Sequence, residues 1–299
     1  MKTTTRLRQL LKGPGIIVAP GAYDCLTAKL IEREGFPAVY MTGAGTALTR
    51  LGVPDLGFAT LTEMLSNAAA IASTVSIPLI ADADTGYGGA LNVYRTVREY
   101  ERAGVAALHI EDQIFPKRCG HLDGKQVVAI EDMVTKLRAA REARSDEDFV
   151  LIARTDALAV TGLADTLRRC HAYVDAGADV LFVEALRDRE EIERVVREVE
   201  VPLLYNFVEH GKSPLLPVAE LERLGFKLVI FPGSIMLALV PLVRRILGEI
   251  RQHGTTAALL EHMGNVVELF EMMGLSDMLA LDARVAAGAS APSLTDGRQ

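Results

Sequence analysis

The sequence is 299 residues long, 49% hydrophobic and 24% charged, with a formal net charge of −7. That balance belongs to a soluble globular chain with a large core, and the length suits a single α/β barrel domain. No stretch reaches the ~18 apolar residues of a membrane helix, and the acidic charge argues against a nucleic-acid-binding face while leaving room for an anionic small substrate held by a local basic loop.

Residues 1–15 are basic but carry no apolar run of secretory length, so the cytoplasm is the expected compartment. Three cysteines, Cys25, Cys119 and Cys170, form no disulfide framework. Along the chain, short apolar runs then alternate with amphipathic stretches. The run 16–20 precedes a helical pattern over 25–35, 38–42 precedes 61–75, 78–84 precedes 90–104, and 107–112 precedes 131–144. The second half repeats the order: 149–156 then 163–177, 180–185 then 188–199, 202–207 then 217–225, and 228–233 then 234–254. Most runs are continuous, as in parallel strands buried on both faces. Glycines 35, 104, 177, 225 and 254 stand just past helical patterns, where a left-handed C-cap leaves no room for Cβ.

Strand then helix, eight times, predicts an α/β fold: a (β/α)8 TIM-type barrel in one domain over 1–285. A doubly wound sheet would need a glycine-rich phosphate turn after the first strand, and Pro20-Gly21-Ala22-Tyr23 is not one. Residues 255–284 add a helical segment whose apolar stripe (Leu259, Leu260, Met263, Val266, Val267, Leu269, Phe270 and Met273) has no place inside a finished barrel. Two readings stay open for it, packing on its own barrel or contact with another subunit. Residues 286–299, small and polar, are expected to be disordered.

Catalytic residues of this fold gather at the C-terminal ends of the strands. The third run ends in Asp82 and Asp84, two apart and so on one side of an extended strand. Glu111 stands at the same height on the next strand, Arg154 ends the fifth, Glu184 the sixth and Asn206 the seventh. Three carboxylates in one barrel mouth repel unless a cation neutralises them, and an all-oxygen set suits Mg²⁺ or Mn²⁺. Helix capping or pairing with arginine is the competing use of such carboxylates, and Asp112 and Asp156 suit it. A zinc site through His109 is the weaker metal reading, with one cysteine nearby. A long loop after the fourth strand carries Lys117-Arg118-Cys119-Gly120-His121, where basic neighbours should lower the thiol pKa and Gly120 allows a hinge. No lysine ends a strand, which argues against a Schiff-base aldolase.

In register with these strand ends, Asp82-x-Asp84-Thr85-Gly86-Tyr87-Gly88, His109-x-Glu111-Asp112-Gln113, Lys117-Arg118-Cys119-Gly120-His121 and Ala153-Arg154-Thr155-Asp156-Ala157 resemble the isocitrate lyase / phosphoenolpyruvate mutase superfamily. The likeness runs from about residue 10 to about residue 274. It implies a carbon–carbon lyase acting on a 2-hydroxy di- or tricarboxylate of the 2-methylisocitrate or 2,3-dimethylmalate type and releasing pyruvate or glyoxylate. By the same resemblance Asp84 binds Mg²⁺ directly, with Asp82 and Glu111 holding its waters. Thr42, Gly43 and Ala44 bind the carboxylate of the keto-acid product, Tyr40 and Arg154 deprotonate and steady the substrate hydroxyl, and Cys119 protonates the departing carbanion. Glu184 and Asn206 contact the remaining substrate, as Gly120 does, and order Arg118 and His121, while Lys117 and Arg118 neutralise the substrate as the loop closes. Phe182, Ile230 and Pro232 take the places that leave room for a substrate alkyl group. The alternatives are a phosphonomutase, an oxaloacetate hydrolase and a barrel that only binds ligands. The resemblance also implies a homotetramer with exchanged C-terminal helices.

Overall fold

In the computed structural model, which describes residues 1–287, eight parallel strands close into a barrel in chain order. Helix α1 (Thr3–Lys12) precedes β1 (Ile17–Ala22) and α2 (Cys25–Arg33). Strand β2 (Val39–Met41) leads to the short α3 (Gly43–Thr46), a π-helical turn and α4 (Leu61–Thr74). Then come β3 (Leu79–Asp82) and α5 (Ala90–Arg102), β4 (Ala107–Glu111) and α6 (Ile130–Ala143), and β5 (Val150–Thr155) and α7 (Leu163–Asp175). The barrel is completed by β6 (Val180–Val183) with α8 (Arg189–Glu198), β7 (Leu203–Asn206) with α9 (Val218–Leu224), and β8 (Leu228–Phe231) with α10 (Ser234–His253). Helices α11 (Val266–Met272) and α12 (Leu275–Ala286) follow. The fold is the expected (β/α)8 barrel with extra C-terminal helices.

The strands bury both faces, in two layers. One face packs on the surrounding helices, and the other fills the barrel interior with Ile17, Tyr40, Ile80, Val150, Ile152, Phe182, Leu204 and Ile230, among others. Because alternate residues share a face, the interior columns of five strands, β3 to β7, end in a polar residue at the C-terminal rim: Ile80 is followed by Asp82, His109 by Glu111, Ile152 by Arg154, Phe182 by Glu184, and Leu204 by Asn206. The register sets Asp82 beside His109, Glu111 beside Arg154, Arg154 beside Phe182 and Asn206 beside Ile230.

Helix α1 was not among the expected elements. Its Leu7 is buried in the interior cluster, with Leu10 and Leu11 packed against it; the three- and four-residue spacing is the signal, diluted by the polar residues between. Burying Leu7 contributes about 2 kcal/mol. Arg8 pins the helix by donating to Asp179 Oδ1 at 2.9 Å and to the Phe149 carbonyl at 3.0 Å. Helix α9 ends at Gly225, whose φ of +110° is a left-handed cap that a side chain would strain.

Where one domain is expected over 1–285, the chain divides into two compact units, Met1–Val240 and Pro241 onward. No residue of α10 is buried. Of the eight stripe residues, Leu259 is buried and the other seven are exposed. On the first unit, Val18, Pro20, Leu30, Phe36, Val218 and Phe231 line an apolar groove of about 590 Å³. The expected tail begins at Ala286, which the structure places at the end of α12, and from residue 288 it lies outside the described residues. No helix among the described residues is long and apolar enough to cross a membrane.

Candidate active site

The barrel mouth holds the predicted carboxylates, with one difference in how they arrive. Strand β3 ends at Asp82, so Asp84 does not share its face by strand alternation. It reaches the site from a turn at a φ of +45°, a costly conformation for a residue other than glycine. The Asp84 amide donates to Asp82 Oδ1 at 2.9 Å, and the Gly43 amide donates to Asp82 Oδ2 at 3.2 Å. Asp82 therefore shapes the turn that carries Asp84. Burial raises the pKa of both, and it pushes Asp84 up to about 6 despite the Lys117 ammonium beside it.

Lys117 is buried and lies 2.7 Å from Asp84 Oδ1, with Asp55 on its other side. It was expected to meet the substrate; here it is turned into carboxylates. The pairing with Asp84 lacks hydrogen-bond geometry, so Asp84 Oδ1 has no hydrogen bond, and neither has Glu111 Oε1. Burial raises the Glu111 carboxyl well above the ordinary range, although Arg154 stands 3.3 Å away.

Arg154 is locked. Its Nε donates to Asp156 Oδ2 at 2.9 Å and its Nη2 to Asp156 Oδ1 at 3.2 Å. Nη2 also lies 3.3 Å from Glu184 Oε2, and the guanidinium carbon sits 5.0 Å from the Phe182 ring centroid. Burial would weaken its charge, but Asp156 and Glu111 outweigh it and raise the pKa. Arg154 is thus a fixed cation and not a base. Tyr40 is also held protonated: burial, and then the Asp82 charge, push its phenol well above 10. Its hydroxyl is 2.8 Å from Nε2 of His109, whose ring stacks on it and is kept neutral by burial and by Arg154, with a pKa of about 3.

Burial opposes ionisation of Glu184, but Arg154 and His121 hold it below the usual carboxylate range. His121 Nε2 is 3.1 Å from Glu184 Oε1, and the Asn206 amide donates to Glu184 Oε2 at 3.0 Å. His121 thus lies against Glu184. Arg118, expected to join it, does not: it is exposed and donates to the Asp123 carbonyl at 3.0 Å. Glu184 already has a hydrogen bond from Asn206 and the charges of Arg154 and His121 within 3.3 Å, and Arg118 stands on the solvent side of the loop.

The cysteine loop lies against this cluster. A Cβ on Gly120 would meet Arg154 Nη2 at 2.4 Å and Glu184 Cδ at 2.6 Å. The Cys119 thiol was expected to have a lowered pKa; burial, with the charges of Asp55 and Glu184, raises it instead. Its basic neighbours are engaged elsewhere, Lys117 by carboxylates and Arg118 by the loop itself. A thiol held protonated can give up a proton but is a poor resting nucleophile.

Around the product-carboxylate position, Thr42 Oγ caps α3 by accepting from the Gly45 amide at 3.2 Å. The Thr42 amide donates to the Ala22 carbonyl and the Gly43 amide to Asp82. Of the three amides assigned there, that of Ala44 is the one left at the start of a helix without an intrahelical partner. Phe182 and Ile230 are buried in the interior layer, and Pro232 is half-buried after β8.

The residues missed from sequence are Asp55, on the loop before α4, Lys125, on the return limb of the cysteine loop, and Gln113, at its base. Gln113 accepts from the Arg118 amide at 3.0 Å and donates to the Arg118 carbonyl at 2.8 Å. None of the three ends a strand, so no register singled them out. Asp112 and Asp156 do pair with arginines, Arg169 and Arg154.

Among the described residues no three histidine, cysteine or acidic side chains converge to ligate one ion directly. The donor set still fits a hard cation that one carboxylate binds and others support through water, since Asp84 Oδ1 and Glu111 Oε1 are buried oxygens without hydrogen bonds. Six buried side-chain polar atoms lack a hydrogen bond among the described residues, and five belong to this mouth: those two, His109 Nδ1, His121 Nε2 and Asn206 Oδ1.

A family model described as phosphoenolpyruvate phosphomutase matches residues 7–251. The chain is 43% identical over 288 residues to a 2,3-dimethylmalate lyase of Eubacterium barkeri, spanning 96% of this chain and 100% of that one. It is 45% identical over 280 residues to a 2-methylisocitrate lyase of Aeropyrum pernix, with 93% and 90% covered. A solved 2,3-dimethylmalate lyase, described as a PEP mutase/isocitrate lyase superfamily member, superposes with a TM-score of 0.91 at 42% identity over 100% of this chain and 99% of that one. An oxaloacetate acetylhydrolase bound to 3,3-difluorooxalacetate gives 0.89 at 42% identity, covering 97% and 99%. A phosphonopyruvate hydrolase in complex with oxalate and Mg²⁺ gives 0.86 at 36% identity, covering 95% and 99%.

Proposed function

The chain belongs to the phosphoenolpyruvate phosphomutase family, within the PEP mutase/isocitrate lyase superfamily, and we propose that it is a carbon–carbon lyase cleaving a 2-hydroxy di- or tricarboxylate of the 2,3-dimethylmalate or 2-methylisocitrate type. The observation that carries this reading is the placement of the loop that bears Cys119, whose Gly120 lies against the fixed Arg154 guanidinium and Glu184, in a mouth where Asp84 Oδ1 and Glu111 Oε1 are buried without hydrogen bonds.

Substrate carboxylates are recognised by Arg154 and by the Ala44 amide, with the alkyl group against Phe182, Ile230 and Pro232. Tyr40, oriented by His109, steadies the substrate hydroxyl. That hydroxyl passes its proton to the rim carboxylates, where Glu111 Oε1 is buried without a hydrogen bond; its oxygen becomes the carbonyl of pyruvate or glyoxylate and the C–C bond breaks. The electron pair moves to the carbon of the departing carboxylate fragment, where Cys119 delivers the proton. Asp84, with Asp82 and Glu111 supporting through water, would hold Mg²⁺ or Mn²⁺. A divalent ion there supplies Lewis-acid stabilisation of the developing carbonyl oxygen. The closed loop excludes water from the carbanion. A phosphonomutase needs no acid at Cys119, which favours the lyase. The enzyme is a homotetramer, supported by the exposed apolar helices beyond residue 234.

The test is product release, read by mass spectrometry, from 2,3-dimethylmalate, 2-methylisocitrate, isocitrate, oxaloacetate and phosphonopyruvate, with Mg²⁺ and with EDTA. Metal-dependent pyruvate from an alkylated hydroxy acid is the expected outcome. Turnover of phosphonopyruvate or oxaloacetate alone would replace the lyase with the corresponding relative's chemistry. Cys119→Ser should lower turnover by at least ~10²-fold while leaving oxalate binding intact; undiminished turnover removes Cys119 as the acid.

A further inference from the structure

We propose that Lys125 is a positioning residue: its ammonium latches the cysteine loop onto the end of β5 and so places Cys119 over the site. The role of Cys119 as the reacting thiol rests on the function proposed above; the latch itself is a matter of geometry.

The Lys125 side chain is 1% exposed, and its Nζ lies 2.7 Å from Asp156 Oδ1, on a carboxylate with no exposure. The same ammonium donates to the carbonyl of Gly120, the residue after Cys119. A lysine is buried this fully only when its charge is met. Here it is met by a rigid acceptor on one side and by the loop tip on the other. Asp156 is the rigid end: its amide donates to Asp112 Oδ1 at 2.9 Å, and its carboxylate takes both Nε and Nη2 of Arg154. The loop is held on either side of this point as well, by Lys117 between Asp84 and Asp55 and by His121 against Glu184, and Lys125 is the tether to the peptide between them. At its base, Gln113 pairs with Val127 in an isolated bridge and bonds the Arg118 backbone. Near its tip, Lys212 reaches Asp123, but that carboxylate is 95% exposed and such a pair is worth little.

The same Asp156 thus receives both Arg154, which touches Glu111 and Glu184, and Lys125, which holds the peptide beside Cys119. A loop seated through Asp156 is in register with the guanidinium that binds the substrate carboxylate. Replacing Lys125 removes one buried positive charge but leaves Asp156 paired with Arg154, while the loop loses its buried tether.

The test is alkylation of Cys119 by iodoacetamide, followed peptide by peptide so that Cys25 is counted separately, alongside steady-state kinetics. In Lys125→Met the Cys119 alkylation rate should rise by about tenfold or more as the loop opens, and kcat should fall by a similar factor with a smaller change in KM. Lys125→Arg, which can reach both oxygens, should recover part of both effects. If Lys125→Met does not fold, Lys125→Gln, which keeps a donor for the Gly120 carbonyl, replaces it with the same expectation in smaller measure. Alkylation at the wild-type rate overturns the latch, whether or not turnover falls, and so does faster alkylation with undiminished turnover. Alkylation needs no substrate, so a failed substrate panel or an active Cys119→Ser enzyme would refute the proposed reaction and leave the latch to be judged by the thiol alone.

Discussion

At the scale of single residues, the environment of each ionisable group overrides its sequence neighbours. Cys119 sits between Arg118 and His121 with Lys117 two residues away, yet its thiol pKa rises, because burial outweighs cations that point elsewhere. A sequence lists neighbours without their directions. Glu32 shows the opposite sign. Burial opposes its charge, but bonds from Lys29 and from the Ser76 hydroxyl and amide lower its pKa from 4.5 to about 2. A carboxylate with a depressed pKa stabilises the fold fully above its unfolded value and loses that contribution as pH falls through the folded one. Glu32→Gln should therefore cost about 1 kcal/mol at neutral pH, after discounting for solvent screening. In denaturant titrations the gap from the wild type should shrink between pH 4.5 and about 2. A gap that persists below that window would mean that packing, not charge, is what Glu32 supplies.

At the scale of elements, the period of two along the strands explains why the rim is legible and the loops are not. Interior positions such as Ile152 and Phe182 are apolar within the barrel, and the next position on the same face emerges at the rim as Arg154 or Glu184. The loop after β4 has no such period, and its placement depends on single close approaches. Gly120 is the closest, with Arg154 Nη2 and Glu184 Cδ where a Cβ would go. Those side chains are held by Asp156 and Asn206 and cannot give way freely. Gly120→Ala should thus keep the loop from seating and lower kcat/KM by ~10²-fold, with thermal unfolding little changed because the loop lies over the rim. Unaltered kinetics would show that the loop has another seated position.

At the scale of the whole molecule, the barrel unit and the C-terminal unit differ in how they meet their hydrophobic surface. The first encloses two apolar layers. The second leaves Leu247, Val266, Val267, Phe270, Met278, Leu279 and others exposed, more than a monomer in water ordinarily presents. The barrel unit, for its part, carries an apolar groove beside β1 and β8. The proposed tetramer, with these helices exchanged, predicts a light-scattering mass about four times that of the 32.3 kDa chain. A monomeric mass would refute it. The sequence by itself determined the barrel, because strand burial and helix amphipathicity are local periodicities, and it determined the rim residues, because the period of two carries the strand faces up to them. Only the tertiary structure decided that Asp84 arrives by a turn, that Lys117 points into acids, that Arg118 points out, and that Asp55 and Lys125 belong to the site. These depend on the directions of side chains that meet across the barrel mouth, far apart in sequence, and no local pattern encodes such a meeting.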